Sequence, residues 1–182
     1  GPEGKPDGVV DTYDRTVIGN PFPDFTYGFG LNAAYKGFDF SALFQGAFDV
    51  DKYCEAESSY AFYNGGKVLK KHLDRWTPEN HNASYPRITK DSQTNFVTSS
   101  FWLEDGSYVR LKNVSLGYNL PKSWLNRIGV SRIKVYVAGE NLLTFSNYSG
   151  IDPETVDIST GMDYGKNYPL ARKYTLGLTV KF

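Results

Sequence analysis

The sequence predicts an all-β chain, an antiparallel segment of a transmembrane β-barrel with long external loops. Three observations point there. Apolar and polar residues alternate in five separate stretches, short and long connections alternate between those stretches, and charges avoid the middle of the apolar faces. Successive side chains of a strand point to opposite faces, so alternation gives each strand one apolar and one polar face.

The closing stretch, about 172–182, alternates most cleanly. Tyr174, Leu176, Leu178, Val180 and Phe182 share one face, and Lys173, Thr175, Gly177, Thr179 and Lys181 share the other. Its eleven residues match the length of a tilted transmembrane strand. A half-buried soluble strand alternates in the same way, so this stretch alone leaves both readings open. Near the start, about 25–35 carries Phe25, Tyr27, Phe29, Leu31, Ala33 and Tyr35 on one parity. After Lys36-Gly37, about 38–48 carries Phe38, Phe40, Ala42, Phe44 and Phe48, and so short a turn makes the two a hairpin. Periodicity returns over about 106–120, with Val114, Leu116, Tyr118 and Leu120 on one face. It returns again over about 132–143, where Ile133, Val135 and Val137 oppose Arg132, Lys134, Tyr136 and Glu140.

The connections follow a rule. Those between strands one and two and between three and four are short; about 49–105 and about 144–171 are long and lack a sustained period. Lys67–Trp76 and the surroundings of Trp124 are expected to form helical turns. Outer-membrane barrels have short periplasmic turns and long external loops, and a periplasmic carboxyl terminus puts every short turn on one side. A cationic side chain facing lipid at the bilayer midplane costs about 2–4 kcal/mol, and near the interfaces about 0–1 kcal/mol. By parity, Arg110, Lys112 and Arg172 fall on the lipid face, at external strand ends. Lys173, Lys181, Arg132, Lys134 and Asp39 fall on the lumen face, and Tyr27, Tyr35, Tyr118 and Tyr174 sit where an aromatic girdle belongs.

Composition narrows the function. Twenty basic and twenty acidic residues give zero net charge, which argues against a nucleic-acid footprint. Aromatics reach 16%, with 14 Tyr and 12 Phe. Mean hydropathy is −0.44 and no apolar run is long enough for a transmembrane helix, a result that barrel strands tolerate. Cys54 is alone, so it is either buried under its loop or paired with a cysteine outside this chain. The chain starts at Gly1 without a visible signal peptide, as a cleavage scar or the interior of a longer protein would. Five strands leave two open edges, and single-chain bacterial barrels begin at eight strands. The chain is therefore expected to be part of a larger barrel or to pair with one.

Six stretches in order resemble the carboxyl-terminal region of SusC/RagA-like TonB-dependent transporters. They are D-R-T-V-I-G-N-P-F-P-D-F-T-Y-G-F (Asp14–Phe29), Y-K-G-F-D-F-S-A-L-F-Q-G (Tyr35–Gly46), R-W-T-P-E-N (Arg75–Asn80), F-W-L-E-D-G-S-Y-V-R-L-K-N-V-S-L-G-Y-N-L-P (Phe101–Pro121), V-Y-V-A-G-E-N-L-L-T-F-S-N-Y-S-G-I-D-P-E (Val135–Glu154) and Y-P-L-A-R-K-Y-T-L-G-L-T-V-K-F (Tyr168–Phe182). The resemblance implies the last five strands of a 22-stranded barrel in the outer membrane of a Gram-negative bacterium. It implies import of oligosaccharides or peptides, a SusD-like surface lipoprotein as partner, and TonB acting on an upstream region. Many relatives carry an acidic D-x-N-G-D-G-x-I-D-x-x-D stretch before the first motif, similar to a calcium loop. Here Asp7, Asp11 and Asp14 remain, but Gly1, Glu3 and Lys5 surround the earlier positions. Calcium takes six to eight oxygens, so the loop is read as solvated, with calcium as the alternative.

No catalytic constellation stands out, no cofactor is implied, and the chain is not expected to be an enzyme. His72 and His81 are nine positions apart and read as solvated loop histidines. Loop aromatics are the ligand candidates, because loops on a rigid scaffold carry binding: Trp76, Tyr85, Trp102 and Tyr148. The alternative for each is packing within the loops. R-W-T-P-E-N and F-W-L-E-D-G-S-Y are expected to fix loop structure rather than to bind. The rival for the whole chain is a secreted soluble β-sandwich that binds carbohydrate.

Overall fold

The computed structural model describes residues 2–9, 11–90, 95–126, 129–157 and 159–182. Most of the regular secondary structure is strand. Five strands form one antiparallel sheet in the order β1-β2-β5-β6-β8: β1 (Phe25–Tyr35), β2 (Phe38–Phe48), β5 (Tyr108–Asn119), β6 (Arg132–Ser146) and β8 (Lys173–Lys181). Three short strands build a second sheet above one end of it, in the order β4-β3-β7: β3 (Asp51–Cys54), β4 (Leu103–Asp105) and β7 (Met162–Asp163).

The β1–β2 hairpin turns on Lys36 and Gly37, both at positive φ (46° and 90°). Two left-handed residues make the tight turn whose twist matches the flanking strands. The register then runs Tyr35 opposite Phe38 to Phe25 opposite Phe48 without interruption, so the alternating aromatics of both strands share a face. The helical turn expected near Trp124 is α1 (Lys122–Leu125), and that near His72 is a 3-10 turn over Lys70–Asp74. Arg127 and Ile128, in the β5–β6 connection, lie outside the described residues.

β5 departs from the expected parity. Leu43 pairs with Asn113, but Phe44 pairs with Leu111, so Lys112 is an extra residue in β5. Opposite it, β6 skips Asn141, which has φ +53°, and Leu142. A bulge inserts a residue into the pleat and reverses which parity faces out. Above it Val109 and Leu111 continue the apolar face, and Arg110 and Lys112, expected on the lipid face, turn to the polar side. The bulge thus clears two cations from the apolar face. β6 also runs three residues past its expected end, and its Leu143 and Phe145 stand opposite Leu111 and Val109.

The corrected apolar face is continuous over all five strands, and it is bare. Leu176 is 77% exposed, Phe145 61% and Leu31 54%. A β-sandwich would pack such a face against a second sheet; here the second sheet leaves it uncovered. The opposite face is polar and paired. Lys134 Nζ lies 2.6 Å from Asp39 Oδ1, reaching from β6 to β2 across β5. Gly117 lies beneath this bridge: a Cβ there would stand 2.3 Å from Lys134 Cε and 2.9 Å from the Asp39 carboxylate. Asn119 Nδ2 donates to Asp39, and Lys173 pairs with Glu140 at 3.0 Å.

Candidate functional site: the loop cap

The buried core lies beside the second sheet, in the loops. Tyr53, Tyr60 and Trp102 are buried, with Tyr63, Tyr85, Phe96, Leu103 and Met162 packed against them. Tyr60 stacks on Phe96 (4.5 Å, 19°) and meets Trp102 edge-on (5.2 Å, 75°). Such aromatic pairs add about 0.5–1.5 kcal/mol each beyond burial. Trp102 Nε1 donates to the Asn95 carbonyl at 3.1 Å, which satisfies the indole.

Two polar clusters fasten the second long loop. In the first, Tyr148 donates its hydroxyl to Asp163 Oδ2, and the Gly165 N–H donates to Asp163 Oδ1 at 2.7 Å. The Cys54 thiol lies 3.8 Å from Tyr148 Oη. Burial pushes the Cys54 thiol up to about 12, and burial with the Asp163 contact pushes the Tyr148 phenol upward. The second cluster is ionic. Arg110 Nη2 donates to Asp152 Oδ1 at 2.5 Å. Arg110 Nη1 lies 3.0 Å from Glu154 Oε2, in ionic contact without hydrogen-bond alignment, and Lys112 Nζ donates to Glu154 Oε1 at 2.6 Å. The N–H groups of Glu154 and Leu170 also donate to Asp152, which ties the two ends of this loop together. Burial alone would raise the Asp152 pKa, but Arg110 and these two N–H groups outweigh it and hold the carboxyl below its usual range.

The sequence motifs have local tasks. Within R-W-T-P-E-N, Asn80 Nδ2 donates to Asp74 and to the Arg75 carbonyl, and the N–H of Trp76 donates to the Tyr85 carbonyl. Asp74 also accepts from the Ser84 N–H; these hydrogen bonds hold its pKa down. Within F-W-L-E-D-G-S-Y, Glu104 accepts from both the N–H and the hydroxyl of Ser149, which joins the two long loops.

The four candidate aromatics separate. Trp76 is 40% exposed at the loop surface and lies parallel to His81 (5.8 Å, 15°). Tyr85 is half-buried between His72 and Phe101. Trp102 and Tyr148 are buried at 6% and 8% exposure and hold the loops together, so neither offers a free ring face. His72 is also not the solvated residue expected. It is buried, its Nε2 lies 2.7 Å from the Ser59 carbonyl, and its Nδ1 accepts from the Leu69 N–H. Burial lowers its pKa. Cys54 is buried at 1% exposure, the first of its two expected states.

Among the described residues no three His, Cys, Asp or Glu side chains converge as a metal site. Asp7 and Asp11 accept from nearby backbone N–H groups, and Asp14 caps the Asp11 N–H. Sequence reasoning missed the Arg110–Asp152–Glu154 cluster. Its one signal was the pair of cations left on an otherwise apolar parity, which a bulge resolves.

No family model matches the chain. It is 39% identical over 186 residues to TonB-dependent receptor P3 of Formosa agariphila, covering 96% of this chain and 18% of that protein. It is 26% identical over 177 residues to TonB-dependent receptor SusC of Bacteroides thetaiotaomicron, covering 96% of this chain and 17% of that one. Among solved structures it is similar to the RagAB peptide importer in its closed-closed state, with TM-score 0.72 and 29% identity over 91% of this chain and 18% of that one. The open-open state gives TM-score 0.68 and 31% identity over 88% of this chain and 17% of that one. The chain thus spans less than a fifth of the length of these relatives.

Proposed function

The chain belongs, as a segment, to the SusC/RagA-like TonB-dependent receptors, and from that premise we propose that it forms part of the wall of an outer-membrane nutrient importer. Its five strands close a 22-stranded barrel with upstream strands at both edges. The bare apolar face meets lipid, the polar face lines the lumen, and the loop cap walls the external entrance. The cargo is an oligosaccharide or a peptide; the name of the RagAB structures, a peptide importer, supports the second. A SusD-like lipoprotein covers the entrance, and TonB acts on an upstream region.

One observation carries this reading: a five-stranded sheet with a continuous, uncovered apolar face on one side and paired charges on the other. Water would not support such a face, and lipid would. The chain's own part is passive. The clusters around Asp152, Asp163 and Glu104 hold the cap as a fixed wall, so closure and energy coupling fall to other parts of the protein. Trp76, stacked on His81, is the ring face this wall offers to cargo.

The test is cellular. The full-length receptor should stay with outer membranes after alkaline washing and migrate differently with and without heating. Trp76→Ala should lower uptake of labelled cargo at unchanged receptor abundance. A receptor recovered folded and soluble without detergent would remove the barrel reading, and unchanged uptake would remove the role of Trp76.

A further inference from the structure

The turn between β1 and β2 and the two ends of the β5–β6 connection line an open recess of about 480 Å³. Among the described residues three cations line it, Lys36, Lys122 and Arg132, and no carboxylate does. Arg132 is held in place by its Nε, which donates to Asn119 Oδ1 at 2.8 Å. Asp39, whose carboxylate also meets Asn119, is engaged by Lys134 and does not line the recess. Three positive charges without an acidic partner in the lining form a site for an anion.

The surroundings narrow which anion. Tyr118, Leu120 and Leu125 also line the recess, and Leu125 is buried. The apolar sheet face ends at this rim, where Tyr35, Phe38 and Trp124 are all exposed, and Lys36 Nζ lies 5.1 Å from the centre of the Tyr35 ring. A free phosphate would use the cations alone. A molecule with a phosphate head and acyl tails would use the cations and the apolar face together.

We infer that this recess holds the phosphate headgroup of an anionic phospholipid whose tails lie along the outer face of β2 and β5. The inference rests on the barrel reading above, which makes this rim the periplasmic edge of the membrane. It gives the sheet a fixed depth at that edge, with a charged anchor beside the aromatic one.

The test uses the full-length receptor in detergent, with native mass spectrometry to count bound dihexanoyl phosphatidylglycerol. Dihexanoyl phosphatidylcholine and inorganic phosphate serve as comparison ligands. Phosphatidylglycerol should bind more tightly than either. Each cation removed should weaken it about fivefold, so K36Q/K122Q should weaken it about twenty-five-fold. K67Q/K90Q, on the cap, should leave it unchanged. Lys36 and Lys122 are exposed, and heat-dependent migration checks that the variant is folded. R132Q gives an independent second variant. Equal binding of phosphatidylcholine, binding of inorganic phosphate at the same concentration, or undiminished binding by K36Q/K122Q would overturn the inference and leave the barrel intact. A receptor that does not embed in membranes at all would overturn the barrel reading, and this inference with it.

Discussion

The five-stranded sheet and the loop cap hold together in opposite ways. The sheet has regular pairing and almost no core: of its apolar side chains only Ala42 and Ala47 are buried. The cap has little regular pairing and most of the core, with Tyr53, Cys54, Tyr60, Trp102, Tyr148 and Val156 buried among short strands and 3-10 turns. A soluble domain buries the apolar faces of its sheets; this chain buries its loops and leaves the sheet bare. The difference assigns two solvents to one chain. On the proposed barrel reading, the sheet completes its burial with lipid, and the cap supplies its own interior against water.

Substitutions on each side break that contrast to different degrees. Leu176→Arg, on the outer face opposite Val137, should act on the sheet, at about 2–4 kcal/mol if it lies near mid-membrane. Loss of the heat-sensitive band in outer-membrane fractions would report it, with the cap core untouched. Arg110→Met should act on the cap instead. It leaves Asp152 buried without its charge partner, and breaking a buried pair in this way costs about 3–5 kcal/mol. Protease cutting between 147 and 171 should rise while the sheet persists. Asp152 has a lowered pKa in the folded state, so this clamp is at full strength above the ordinary carboxylate range. It weakens only as pH falls below about 4.

Tyr148→Phe should be milder. It removes the hydroxyl that Asp163 Oδ2 accepts from and should cost about 1–3 kcal/mol. Cys54 reports the result. A buried thiol pushed up to about 12 should resist iodoacetamide at pH 8 in the folded receptor, and the variant should be labelled faster. The smallest effect is the pH response of His72. Its folded pKa lies below the unfolded value near 6.5, so protonation does not disturb the cap above that pH. Below it the unfolded chain gains the proton first and the fold loses stability. Hydrogen-exchange protection around Ser59 and His72, taken relative to the intrinsic rate at each pH, should fall between pH 7 and 5, and His72→Gln should flatten that response.

The two regions were also unequally legible in the sequence. Alternation marked the sheet because one side of each strand is apolar along its whole length, as in Tyr174 to Phe182. It misjudged Arg110 and Lys112, since a period of two carries no sign of one inserted residue. The cap had no period to read. Arg110 and Asp152 are 42 positions apart, and Glu104 meets Ser149 across 45, so only the folded chain brings them together. For the same reason sequence reasoning could not separate Trp76, which stays at the surface, from Trp102 and Tyr148, which hold the cap together.

The central claim is that one face of this sheet meets lipid and that the bulge at Lys112 shifts which residues do so. Spin labels at single cysteines along β5 of the reconstituted full-length receptor test it most directly. Labels at Val109, Leu111, Val114 and Leu116 should be relaxed by oxygen, which concentrates in lipid, and little by a water-soluble nickel chelate. Labels at Arg110, Asn113 and Ser115 should show the reverse, with the alternation breaking phase at Lys112. Strict alternation through Lys112, or nickel access at every position, would contradict the account.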